Sequence, residues 1–246
     1  MATLTNAFPL PLQRPDSAPR TVLAFVRSPL VDLETAANSV LHPAELEKLA
    51  ALKFDRRRLS FLLGRFAAKA ALQCWAGQGE PTEWEIASGV FGQPLVRGPH
   101  AADLTISLAH AQESGAALVS ERGHPVGVEF ETVAIERMEA LRSQVVPEEV
   151  ELVKAFVTEE IEQLTLLWTA KEALSKATGT GMMTPFPLMS LETIKSERGW
   201  MVSEFKNFGQ YRAWSVCLAD VWLSLVLPKK TELTCDAAWF CESLRS

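Results

Sequence analysis

No apolar run in this sequence is long enough to cross a bilayer. The most hydrophobic stretch, residues 216–227, is too short to span one and contains Asp220. Residues 1–20 carry prolines and polar side chains but lack the charged-then-apolar pattern of a secretory signal. Cysteine is scarce and unpatterned. Cys74, Cys217, Cys235 and Cys241 form no C-x-x-C pair and share no metal-like spacing with the four histidines. That usage suits a reducing cytosol better than a disulfide framework. Positive charge is in deficit: 24 Lys and Arg face 30 Asp and Glu, and no basic stripe offsets the net −6, which argues against a nucleic-acid binder. The expectation is a soluble, cytoplasmic protein with neither membrane nor nucleic acid as partner. At 246 residues, with 48% hydrophobic and 22% charged, the chain is ordinary globular material for one large domain or two small ones.

Residues 1–20 read as a loose N-terminal arm. Residues 21–26 are a nearly continuous apolar run, the mark of a buried strand. His42-Pro43-Ala44-Glu45 opens a short helix with proline in its first turn and Leu46, Leu49 and Leu52 on its buried side. A longer helix begins near Asp55 and runs to Trp75, with Phe61, Leu62, Phe66 and Leu72 on one face. The basic cluster Lys53, Arg56, Arg57 and Arg58 sits at its start, where a helix dipole prefers acids. Such a cluster is either a solvated end whose long side chains cover apolar surface or an attractor for phosphate. Strands are predicted at 84–87, 104–110, 115–120 and 125–130, with a turn at Gly89 and another through Gly123. Pro147-Glu148-Glu149 starts a further helix. Thr158 caps the next, which buries Ile161, Leu164, Leu167 and Leu174 and stops at Gly179-Thr180-Gly181. Strands return at 189–194, 200–205, 212–219 and 221–227.

Chemistry concentrates in two places. On the helix after Thr158, Trp168, Glu172 and Lys176 are spaced i, i+4, i+8 and share one face. They make either a solvated ion pair or the wall of an anionic-substrate site. Upstream, Gly127-Val128-Glu129-Phe130-Glu131 reads as a strand whose two carboxylates share one face, with Val128 and Phe130 on the other. Two acids on a strand and one on a helix, brought together, form an oxygen-only pocket for a hard divalent cation.

In this order, G-V-E-F-E followed by W-T-A-K-E-A-L-S-K resembles the signature of the 4′-phosphopantetheinyl transferases. That family carries a G-[IV]-D-x-E strand and then W-[ST]-x-K-E-[AS]-x-x-K on a helix. Length and supporting segments resemble its larger, single-chain surfactin-type branch. A faint internal repeat accompanies it, Phe66-Ala67-Ala68-Lys69-Ala70-Ala71-Leu72 lining up with Trp168-Thr169-Ala170-Lys171-Glu172-Ala173-Leu174. The resemblance implies an α+β fold of two similar halves related by a pseudo-twofold, each a small antiparallel sheet on a long helix. We divide the chain into residues 21–124, the coenzyme A side, and 125–246, which carries the metal and the catalytic helix.

The resemblance also implies an activity: transfer of the phosphopantetheine arm of coenzyme A to a serine of an apo acyl or peptidyl carrier protein, by a monomer, releasing 3′,5′-ADP. Glu129, Glu131 and Glu172 would bind Mg²⁺, with Mn²⁺ as an alternative. Glu172 would take the serine proton, and Lys171 and Lys176 would meet phosphate. Arg57, Arg58, Arg65 and His110 would belong to the coenzyme side, as would Gly92-Gln93-Pro94, which matches the family's G-K-P loop. The carrier would dock against residues 135–158. The chain departs from the pattern at Glu129, where the family has Asp, at Gln93, where it has Lys, and at Ala109 and Ala111, where hydroxyls are usual. These departures leave a second reading open, a non-catalytic homologue that binds coenzyme A or a carrier protein. They also leave open whether Glu129 meets the metal directly or through water.

Overall fold

A computed structural model describes residues 4–244. The chain begins with β1 (Leu4–Pro9), β2 (Leu12–Gln13) and β3 (Thr21–Arg27), then three helices, α1 (Leu30–Val40), α2 (Pro43–Ala51) and α3 (Asp55–Ala76). The hairpin of β4 (Glu85–Ser88) and β5 (Pro94–Arg97) leads into β6 (Leu104–Ala111), β7 (Ser114–Glu121) and β8 (Gly127–Thr132). Next come α4 (Met138–Arg142), α5 (Pro147–Lys154) and α6 (Glu160–Ala177). The remainder is β9 (Leu191–Glu197), β10 (Trp200–Phe205), β11 (Tyr211–Leu218), β12 (Val221–Pro228), β13 (Glu232–Leu233) and α7 (Ala237–Ser243). This is the mixed α+β architecture expected. One antiparallel sheet runs β1-β3-β7-β6 and a second β8-β12-β11-β10-β9.

Period-two alternation places each sheet between two apolar layers. In the first sheet Val22, Ala24, Val26, Ala117 and Val119 face α3, while Leu23, Ala116 and Leu118 face the second sheet. In the second sheet Val128, Phe130, Leu223 and Leu225 answer them, and Trp222, Val226 and Ala213 pack on α6. Strands buried on both faces lose the polar half of the alternation. That is why 21–26 reads as a nearly continuous apolar run and why Ser224 is the one polar residue in 221–227.

The N-terminal segment is not loose. β1 pairs antiparallel with β3, from Leu4 opposite Arg27 to Pro9 opposite Val22, and β2 pairs with β13. Its prolines suggested an arm, but β1 is an edge strand and Pro9 stands at its end, where no ladder donor is needed. Thr158 does not cap α6 either. The N-cap is Glu159 and makes no side-chain cap bond, while the Thr158 carbonyl accepts from Gln163 Nε2 at 3.1 Å. Helix α1 escaped the sequence reading because only Leu33 and Ala37 along it are buried.

One electrostatic device appears on both sides of the molecule. Lys69 of α3 pairs with Glu45 of α2 at 2.8 Å, and Lys171 of α6 pairs with Glu149 of α5, all four side chains buried. Each glutamate is the third residue of a helix opened by proline. Each accepts the N-cap backbone N–H, His42 at 3.0 Å and Val146 at 2.8 Å. Each also accepts a strand N–H, Ile86 at 2.8 Å for Glu45 and Leu191 at 3.1 Å for Glu149. Burial pushes both ammonium groups below the ordinary lysine range, and the glutamate partners oppose it. A buried charge left without its partner is the expensive state. Lys171→Met should therefore destabilise the protein by about 3–5 kcal/mol in chemical denaturation. The double variant with Glu149→Gln should recover part of that. A single-variant cost under about 1 kcal/mol would contradict the pair's structural role.

His124 lies buried between the sheets' ends, with Nδ1 3.1 Å from Ser120 Oγ and Nε2 2.8 Å from Thr231 Oγ1. Burial, with Arg14 nearby, holds its pKa down from 6.5 to about 4. Between those values the unfolded chain binds the extra proton, so this contribution is full above pH 6.5 and is lost as pH falls toward 4. His124→Gln should remove about 2 kcal/mol of that acid-side slope when unfolding is followed from pH 7 to pH 4. Parallel profiles for the two proteins would show that His124 is not the titrating group.

Candidate active site

Where the first sheet meets the second, β6 runs beside β8 and the Val128 N–H donates to Ser107 Oγ at 3.0 Å. A cleft of about 1190 Å³ opens there, lined from one side by α3, the β4–β5 turn and β6, and from the other by β8 and α6. Gly127 sets the approach of the last two. A Cβ on it would fall 1.9 Å from the Ala173 carbonyl oxygen and 3.0 Å from the Ala177 nitrogen. Strand β8 thus rests on the α6 backbone, and the residues two and four further along the same strand face, Glu129 and Glu131, are carried to the helix stripe of Trp168, Glu172 and Lys176. All five line the cleft.

The acids do not stand bare. Lys176 pairs with Glu129, lies 4.0 Å from Glu172 Oε1 and donates to the Leu108 carbonyl at 2.8 Å. Glu129 is buried, and its Oε1 accepts the Phe130 N–H at 2.9 Å. Its pKa is raised to about 8, chiefly by desolvation, with Lys176 opposing the rise and the neighbouring Glu172 adding to it. Glu131 accepts the Thr132 N–H at 3.1 Å and pairs with Arg137, whose guanidinium carbon lies 5.6 Å from the centre of the Trp168 ring.

On the opposite side, Arg57 is exposed and lines the cleft, as does Arg56. Arg58 does not. Its Nε donates to Glu34 at 2.7 Å, and Nη1 to the Leu49 and Leu52 carbonyls at 3.1 and 3.3 Å, so it ties α1 and α2 to α3. One helical position separates it from Arg57, and the turn of the helix sends it to the other face. Arg65 serves both purposes: it lines the cleft, donates to the Ile86 carbonyl at 3.1 Å and lies over Phe61 at 4.3 Å. His110 is exposed on the cleft lip at the end of β6. Gly92 takes a φ of 80° in the β4–β5 turn, and Pro94 opens β5. Gln93 bends back, its Oε1 accepting the Phe91 N–H at 2.9 Å, and so fastens the turn it belongs to.

Lys171 lies elsewhere. It is buried against Glu149, donates to the Gln144 carbonyl at 2.9 Å and does not border the cleft. Its position on α6 falls on the buried stripe of Leu164, Leu167 and Leu174, not on the stripe of Glu172 and Lys176. The sequence reading also missed Arg137, which ends a three-residue 3-10 turn too short to show a period, and the apolar lip of Phe91 and Leu95.

Among the described residues, no three or more His, Cys, Asp or Glu stand grouped as a metal cluster. The donor chemistry nevertheless fits a hard divalent ion. Glu129, Glu131 and Glu172 present only oxygen on one cleft wall, and Glu129 lies against Glu172 with Lys176 beside both.

Residues 125–226 match the family model of the 4′-phosphopantetheinyl transferase superfamily. The holo-[acyl-carrier-protein] synthase of Exiguobacterium sibiricum is 34% identical over 70 residues, covering 26% of this chain and 55% of the relative. The chain thus spans about half the length of the curated relative it matches. The crystal structure of Thermotoga maritima holo-[acyl-carrier-protein] synthase (AcpS) aligns at a TM-score of 0.31 and 21% identity, over 53% of this chain and 76% of that one.

The two neighbouring arginines separate cleft from scaffold. Arg57→Ala should leave the melting temperature unchanged and weaken binding of inorganic pyrophosphate, used as a probe of the cleft, about tenfold in calorimetry. Arg58→Ala should lower stability by about 1–2 kcal/mol instead. The reverse pattern would overturn both assignments.

Proposed function

We propose that this chain, whose residues 125–226 match the 4′-phosphopantetheinyl transferase superfamily model, transfers the phosphopantetheine arm of coenzyme A to a serine of an apo carrier protein. One observation carries the proposal. A single cleft gathers Glu129, Glu131, Glu172 and Lys176 on one wall, with Arg57, Arg65 and His110 on the other. Cations on both sides suit a ligand with separated phosphates, and the acids between them suit a metal-bound pyrophosphate.

In this scheme the serine hydroxyl attacks the phosphorus attached to the pantetheine arm. The new P–O bond forms as the bond to the bridging pyrophosphate oxygen breaks, and 3′,5′-ADP leaves with that oxygen. Glu172, partly exposed in the cleft and free of any direct hydrogen bond to Lys176 at 4.0 Å, takes the serine proton. Lys176 and His110 neutralise phosphate charge from opposite sides, which is how phosphoryl transfer is assisted when the protein supplies position and electrostatics. A divalent cation, Mg²⁺ or alternatively Mn²⁺, would be held by Glu129, Glu131 and Glu172 and would offset the pyrophosphate charge. The longer side chain of Glu129 is compatible with that role, since it already reaches Lys176 and Glu172.

The recurrence of a buried lysine–glutamate pair, Lys69 with Glu45 and Lys171 with Glu149, supports the division into two similar halves at residue 124. Exposed Ile135 and Phe156 support residues 135–158 as an apolar landing surface for the carrier.

The decisive assay incubates the protein with fluorescent coenzyme A, Mg²⁺ and a panel of apo carrier proteins and looks for a labelled carrier. Glu172→Gln should keep its circular dichroism and lose about 100-fold or more in rate. Tight coenzyme A binding with no carrier labelled across the panel would favour the non-catalytic binder. Full activity in folded Glu172→Gln would remove that residue from catalysis.

A further inference from the structure

Arg137 is a cation outside the quoted family motifs, yet it sits on the acidic wall. It lies in the short turn 135–137 after β8, pairs with Glu131 and holds its guanidinium over Trp168, with Trp168 packed on Phe186 at 5.0 Å between centroids. Lys176 pairs with Glu129 on the same wall. The two cations are anchored differently. Lys176 is held by the Leu108 carbonyl at 2.8 Å in addition to its carboxylates. Arg137 has one carboxylate and an aromatic face, and its side chain is 36% exposed. A cation on a partly exposed indole face is held only weakly and by no directed hydrogen bond. A guanidinium also matches two phosphate oxygens at once, as an ammonium does not.

We propose that Arg137 is an exchangeable counter-cation. It holds Glu131 while no metal is bound, and turns on the Trp168 face toward the substrate's pyrophosphate when a divalent cation takes that carboxylate. The proposal rests on the cleft being the coenzyme A and metal site. It assigns Arg137 a positioning and binding role, with the metal and the guanidinium competing for the same oxygen atoms. A static ion pair that merely staples the turn to β8 would show neither behaviour.

Two binding measurements without turnover test it. Mn²⁺ binding is followed by loss of the free-ion electron paramagnetic resonance signal, with no coenzyme present. Arg137→Gln, which removes the competitor, should bind Mn²⁺ about threefold tighter or more, the worth of a partly exposed ion pair. Calorimetry with Mn²⁺ present should show coenzyme A binding weakened about tenfold in the same variant. Arg137→Lys, keeping the charge without the fork, should leave Mn²⁺ affinity near that of the parent and still weaken coenzyme A. Unchanged or weaker Mn²⁺ binding in Arg137→Gln overturns the proposal, as does unchanged coenzyme A affinity or a parent protein that binds no Mn²⁺. Neither measurement uses a carrier protein, so failure to label a carrier would count against the transfer reaction and leave this result standing on its own.

Discussion

The missing side chain at Gly127 governs the site. With a Cβ placed 1.9 Å from the Ala173 carbonyl oxygen, β8 and α6 would have to separate. Every carboxylate on the acidic wall belongs to one of those two elements. The strand's period of two then sends Glu129 and Glu131 toward the helix and Val128 and Phe130 into the layer between the sheets. Backbone contact here fixes the distance between strand acids and helix cation within the length of one side chain, so Lys176 reaches Glu129.

Charge compensation organises the rest. A carboxylate taken from water needs a cation, and this protein supplies one for each buried acid on α2, α5 and β8. Lys69 and Lys171 pair permanently and deep within the fold, where their glutamates also terminate helix and strand N–H groups. Those pairs fasten α2 and α5 to the long helices and to β4 and β9. At the cleft the cations reach solvent: Lys176, partly exposed, covers the buried Glu129, and Arg137 and Glu131 are both partly exposed. Burial separates the two uses. An ion pair sealed from water is structural because removing either member strands a charge. A pair at a cleft can trade partners, because water and an incoming anion lower the cost of letting go.

The family resemblance was legible because its residues work through backbone period. Trp168, Glu172 and Lys176 at i, i+4, i+8 share a helix face wherever the helix lies, and Glu129 and Glu131 share a strand face by the same logic. Lys171 shows the limit of that reading. It adjoins Glu172 in sequence, and the motif made it a phosphate ligand. The helix's turn instead puts it on the stripe of Leu164 and Leu174, where Glu149 neutralises it. Arg57 and Arg58 divide in the same manner, one into the cleft and one onto Glu34.

The sequence by itself therefore marked the apolar strand at 21–26, the shared face of Glu129 and Glu131 and that of Trp168, Glu172 and Lys176, and through the resemblance those residues carry it implied the α+β class. Each of these depends on local period and on a residue's own chemistry. Tertiary structure alone decided which cation each acid would meet. It folded residues 4–9 into an edge strand of the first sheet, sent Lys171 inward, turned Gln93 back onto its own loop and brought Arg137 over Trp168. Those outcomes depend on the packing of segments distant in sequence. A charged side chain goes to whichever partner the fold carries within its reach, and no local pattern encodes that distance.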